Sequence, residues 1–100
     1  MHTANRKTDR IIDASKKEMI LEIFEMLRPQ GDTEGVISAH KIDLHSLPTK
    51  ILEIFQPLLI EMEELGTTLN QEEFLDASLR LYATLNIQER ALILKFNRSN

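Results

Sequence analysis

Two groups of oxygen-bearing side chains have types and spacings that could serve a hard cation. The first is Gln30, Asp32, Glu34 and Ser38. The second is Glu61, Glu64, Asn70 and Glu73, with Glu63 and Glu72 beside it. Oxygen donors spread along a turn are what calcium and magnesium prefer. Lys41 follows the first group, however. An ammonium beside a divalent ion is repelled by about 4 kcal/mol per pair of unit charges, at ~4 Å and an effective dielectric of ~20. His40 and His45 are five residues apart, whereas paired helical zinc ligands want four, so they read as surface or linker histidines. Ser15, Ser38, Ser46, Ser78 and Ser99 lie in no nucleophile elbow, and Gly31 to Gly35 is not followed by the Lys-Ser or Lys-Thr of a phosphate loop. The carboxylates have charged neighbours rather than the apolar surroundings that raise a pKa for acid–base work. The expectation is a protein that is not an enzyme and has no cofactor, with calcium as the one ion to test.

One hundred residues, 42% of them apolar and 28% charged, make one small domain of ordinary composition. The absence of cysteine removes disulfides and thiolate metal sites. No run of about 18 apolar residues exists to span a membrane. The polar start, MHTANRKTDR, does not read as a secretory signal. These features point to a cytoplasmic location, with association to the cytoskeleton as a narrower form of it. The net charge of −4 is unevenly spread. Residues 51–79 hold Glu53, Glu61, Glu63, Glu64, Glu72, Glu73 and Asp76 and no Lys or Arg, a composition that repels phosphate backbones and argues against nucleic acid. The first twenty residues lean basic, through Arg6, Lys7, Arg10, Lys16 and Lys17. Residues 1–8 lack periodicity and are expected to be a flexible terminus.

Apolar periodicity supplies the elements that must carry these side chains. Thr8 or Asp9 can cap a first helix whose face is Ile12, Met19, Ile20, Ile23, Phe24 and Leu27, and Pro29 and Gly31 end it. The turn GDTEGVIS comes next, and Ser38 is expected to cap a short helix over Ala39–His45 with Ile42 and Leu44 as its apolar residues. Pro48 opens the clearest amphipathic stretch, Ile51, Ile54, Phe55, Leu58, Leu59 and Met62. Pro57 inside it deletes one backbone bond, so a kink or a split into two helices is expected. Asn70 with Glu73, and Asn86 with Glu89, have capping-box spacing. They start a helix bearing Phe74, Leu75, Ser78, Leu79, Leu81, Tyr82 and Leu85, and a last one bearing Ala91, Leu92, Ile93, Leu94 and Phe96. The reading is all-α, with five helices.

The two halves repeat. Ile37, Ser38 and Ile42 correspond to Leu69, Asn70 and Phe74, each 32 residues apart. Helix, Gly-containing turn, one apolar loop residue, cap and apolar helix occur twice. On TTLNQEEF, and more weakly on Gly35 with VISAHKI, the chain resembles the EF-hand superfamily over about residues 10–85. The resemblance implies a degenerate pair of EF-hands over 9–85 (first unit 9–47, second unit 48–85), with an additional C-terminal helix over 86–97. It also implies that Ile37 and Leu69 pair as a minimal antiparallel bridge between the loops.

An EF-hand loop puts oxygen ligands at positions 1, 3, 5, 7 and 9, Gly at 6 and a bidentate Glu at 12. Counted on Ile37 as position 8, the first loop offers Gln30, Asp32, Glu34 and Ser38, but Lys41 takes the bidentate position. The second keeps Glu73 there, but puts Met62 first, Gly66 fifth and Thr67 at the sharp turn. Both loops also read as length variants, the first entered at Arg28 after Leu27 and the second starting at Glu61. No metal is therefore expected. Weak binding would use Glu61, Glu64, Asn70 and Glu73, or Asp32, Glu34 and Ser38.

The function implied is calcium-independent protein interaction: holding an amphipathic partner helix, or packing against another part of a larger assembly. The groove would be lined by Phe24, Leu27, Phe55, Leu58, Leu59, Phe74, Leu81, Leu92 and Phe96. The last helix either folds back over that groove, contacts another chain, or completes the core. The alternatives are an irregular calcium sensor using the second loop, and a structural or dimerising domain of a cytoskeletal protein. Oligomeric state is left open.

Overall fold

A computed structural model describes the backbone of residues 6–96 and the side chains of residues 14–96. Most of the expected flexible start, and the polar tail from Asn97, lie outside the described residues. The chain is mostly helical: α1 (Arg6–Leu27), β1 (Val36–Ile37), a single 3-10 turn (Leu44–Ser46), α2 (Thr49–Leu65), β2 (Leu69–Asn70), α3 (Gln71–Thr84) and α4 (Ile87–Leu94).

Helix α1 already runs at Arg6, so Thr8 and Asp9 lie inside it rather than at its cap. It stops where expected, ahead of Pro29, and Gly31 takes a positive φ in the adjoining turn. Helix α2 is continuous through Pro57, so the split into two helices does not occur. Gly66 ends it in the left-handed region, φ 63°, which lets its amide reach back to the Glu63 carbonyl and the Thr67 amide to that of Met62. Both expected capping boxes are present. Asn70 and Glu73 exchange bonds of 2.9 Å each, and Asn86 and Glu89 bonds of 2.8 and 3.0 Å.

The short helix expected over Ala39–His45 is absent. Ser38 instead exchanges backbone bonds with Lys41, Ser38 N to Lys41 O at 3.1 Å and Lys41 N to Ser38 O at 3.0 Å, around a two-residue turn. Asp43, not Ser38, provides the cap in this region: its carboxylate accepts from the His45 amide and the Ser46 hydroxyl, and only three residues wind into a 3-10 turn. Leu44, one of the two apolar residues of that expected helix, is 40% exposed.

The two loops lie side by side. β1 and β2 are antiparallel, with Ile37 opposite Leu69 and Val36 opposite Asn70, the pairing expected from the 32-residue repeat. This satisfies backbone groups that either loop alone would leave unpaired. Ile37 is fully buried beneath the bridge.

One core joins all four helices. Ile20, Ile23, Phe24 and Leu27 of α1 meet Ile51, Ile54, Phe55, Leu58 and Met62 of α2, Phe74 and Tyr82 of α3, and Ile93 with Phe96 from the α4 end. Three aromatic rings hold its centre: Phe74 lies 5.3 Å from Phe24 and 5.8 Å from Phe55. The residues expected to line an open groove are thus divided. Phe24, Leu27, Phe55, Leu58, Phe74 and Phe96 are buried, Leu59 and Leu81 are half-buried against the core, and Leu92 is exposed. The aromatic residues close on one another instead of facing an empty channel, because α1, α2 and α3 each bring one to the same point.

Arg90 fixes α4 against α3. It donates to the carbonyls of Tyr82 (3.2 Å) and Ala83 (2.9 Å), carbonyls at the negative end of that helix. Its guanidinium also lies over the Tyr82 ring, 5.3 Å from the centroid, and the Lys16 ammonium of α1 lies 4.8 Å from the same centroid.

Candidate functional site: a cation-closed loop and an open cleft

The loop after α1 is built around Asp32, whose side chain is only 1% exposed. Asp32 accepts from the backbone amides of Glu34 (3.2 Å) and Gly35 (3.0 Å), an arrangement that Gly35 makes possible with φ 73°. Arg28 donates Nε to its carboxylate at 2.9 Å and a second nitrogen to its backbone carbonyl at 3.1 Å. The other side of Arg28 grips Glu25, one helical turn back. Lys41 completes the arrangement. Its ammonium lies 2.5 Å from Asp32 Oδ1 and also pairs with Glu34. Asp32 and Glu34, two of the three expected first-loop ligands, therefore do converge, but on the chain's own cation. Ser38, the third, is tied to Lys41 through backbone atoms.

Electrostatics follow from this geometry. The Lys41 ammonium, reinforced by Arg28 and the two amides, holds the Asp32 carboxyl far below the usual carboxylate range against the opposing effect of burial. Asp32, then Glu34, raise the Lys41 pKa in return, and Asp32 with Glu25 raises that of Arg28. Asp43 is lowered chiefly by the Ser46 hydroxyl. Both basic groups stay charged over the whole physiological range, so the loop carries its counter-charge permanently.

The second loop distributes its carboxylates differently. Glu73 and Asn70 are bonded to each other in the capping box of α3. Met62 is buried in the core. Glu61 and Glu73 face the same cleft, while Glu64 is exposed and does not line it. Among the described residues, no three His, Asp or Glu side chains gather in a way that could hold a metal ion.

That cleft, about 490 Å³, opens between α2 and α3. Pro57, Leu58, Met62, Leu65, Leu69, Ala77 and Leu81 give it apolar walls; Glu61, Glu73, Asp76 and Arg80 stand among them. Leu65 is 65% exposed there, a large apolar side chain left in water. Of the residues expected to form a groove, Leu58 and Leu81 line this cleft. Sequence reasoning missed Leu65, Ala77 and Asp76 as parts of it, since periodicity assigns the apolar faces wholly to the interior. It also missed Arg28, although the Arg28–Asp32 spacing of four residues is a readable signal for an ion pair.

Among the described residues, no helix is long and apolar enough to cross a membrane. No family model matches the chain, and no characterised protein or solved structure is similar to it at a significant level.

Proposed function

We propose that this chain is a calcium-independent protein-interaction module of the EF-hand type, which takes an amphipathic helix into the cleft between α2 and α3. The observation that carries the reading is the Lys41 ammonium between Asp32 and Glu34. A loop already neutralised by its own Lys and Arg has no charge deficit for a divalent ion to fill. The bonding of Glu73 into the α3 capping box extends the argument to the second loop. The paired loops, 32 residues apart in sequence, and the antiparallel bridge between Ile37 and Leu69 support the EF-hand-type arrangement. The cleft supports the helix reading: it has apolar walls, charged residues at the sides and the exposed Leu65.

Titration calorimetry tests the metal half. Calcium at about millimolar concentration should give no saturable heat; micromolar binding that disappears in Glu73→Gln would overturn the reading in favour of a sensor working through the second loop. A labelled leucine–lysine amphipathic peptide tests the binding half. It should bind saturably, with equal affinity in calcium and in chelator. Leu65→Asp, at an exposed position, should weaken it about tenfold or more. Binding that requires calcium, or that ignores Leu65→Asp, would contradict the proposal.

A further inference from the structure

We infer that the α2–α3 cleft takes the basic opening turns of α1, Arg6–Lys17, from a second copy of this chain. The inference rests on the proposal that the cleft receives a helix, and adds which helix.

Charge narrows the occupant first. Three carboxylates line the cleft, Glu61, Glu73 and Asp76, against the single Arg80, and no Lys or Arg occurs from residue 51 to residue 79. A cationic visitor is favoured and an acidic one repelled. Within this chain, positive charge is concentrated in one place. Arg6, Lys7, Arg10, Lys16 and Lys17 fall within twelve residues, against Asp9 and Asp13, a net of +3 (five minus two).

The segment also has the right form. It is already helical, since α1 begins at Arg6, so docking orders no new backbone.

A second molecule is required by the geometry of α1. Phe24 contacts Phe74 and Lys16 contacts Tyr82, so α1 runs antiparallel to α3 with its start beyond the α3 end. The buried α1 residues begin only at Ile20, among the described side chains. Helix α1 is continuous from Arg6 to Leu27, so its opening turns cannot fold back into the cleft of their own molecule.

Sedimentation velocity of the full chain, from about 10 μM to about 1 mM, should show a reversible monomer–dimer equilibrium that weakens with added salt. The double variant Arg6→Glu/Arg10→Glu and the double variant Glu61→Lys/Asp76→Lys should each weaken self-association about tenfold or more. Mixing the two should restore association as a heterodimer, which simple loss of folding cannot produce. Circular dichroism of each variant alone checks that it is folded. A monomer at every concentration, or a dimer indifferent to both charge reversals, overturns the inference. If the leucine–lysine peptide still binds a monomeric chain in a Leu65-dependent way, a foreign cationic helix is the occupant: the second copy is ruled out and the cleft reading stands. If that peptide fails to bind as well, both fall.

Discussion

Truncating Phe74 to Ala probes the centre of the fold most directly. Phe74 is fully buried, and its ring is the one that touches both Phe24 of α1 and Phe55 of α2. Burying an aromatic side chain removes about 150–250 Å² from water, worth roughly 4–6 kcal/mol at ~25 cal/mol per Å². That figure is an upper bound, because an unfolded chain already hides part of its apolar surface. Measured Phe→Ala losses of about 3–5 kcal/mol fit the corrected range. The site lies at the upper end of it, since three helices converge there and two ring pairs vanish together. A loss of about 4 kcal/mol corresponds to a melting temperature lower by roughly 15–30 °C in a domain of this size. It would also consume much of the ~5–15 kcal/mol typical of a small domain. Urea titration followed by circular dichroism reads the change as a shifted midpoint with unaltered slope. Leu65→Ala, at a 65% exposed position, is the control and should stay within about 0.5 kcal/mol. A Phe74→Ala loss below about 1.5 kcal/mol would mean that the three rings do not hold the core as described.

The polar groups give two more expectations. Ser78 is 1% exposed and its hydroxyl has no hydrogen-bond partner among the described residues; Ser78→Ala should therefore stabilise the fold by about 1 kcal/mol in the same urea assay, and a loss of that size instead would reveal a bond the hydroxyl makes. Stability should also fall at both ends of the pH scale. Asp32 is depressed in the folded state, so the unfolded chain takes the proton first, and its contribution, complete above the ordinary value of 3.8, is lost as pH drops below it. Lys41 is raised, so its contribution is complete below the ordinary 10.5 and is lost as pH climbs past it. Asp32→Asn should flatten the acid limb and Lys41→Met the alkaline one. Melting curves across pH whose limbs persist in these variants would assign the dependence elsewhere.

Legibility varies along the chain for physical reasons. The second half is readable because its signals are local. Asn70 with Glu73 and Asn86 with Glu89 exchange bonds across three residues, and little from outside competes with them. The loop pairing is readable because a fixed spacing of 32 residues puts Ile37 and Leu69 at equivalent positions. The exit from the first loop is not, because a tertiary interaction outweighs propensity there. Lys41 turns toward Asp32 and Glu34, its backbone closes on Ser38, and the helix that Ser38 would have capped never starts. The cleft is only half readable. Spacing shows which face of α2 or α3 is apolar, but not how far apart the two helices stand. That distance decides whether Leu58 and Leu81 border a void or fill one.

The Lys41 contact has a consequence for how the first loop behaves over time. A counter-ion covalently attached to the polymer cannot diffuse away, and its local concentration does not change when the surroundings are diluted. The seat beside Asp32 is filled as soon as the backbone closes, with no wait for an arriving solute. That bend, and through the Ile37–Leu69 bridge its neighbour, is therefore held by groups that belong to the polymer itself.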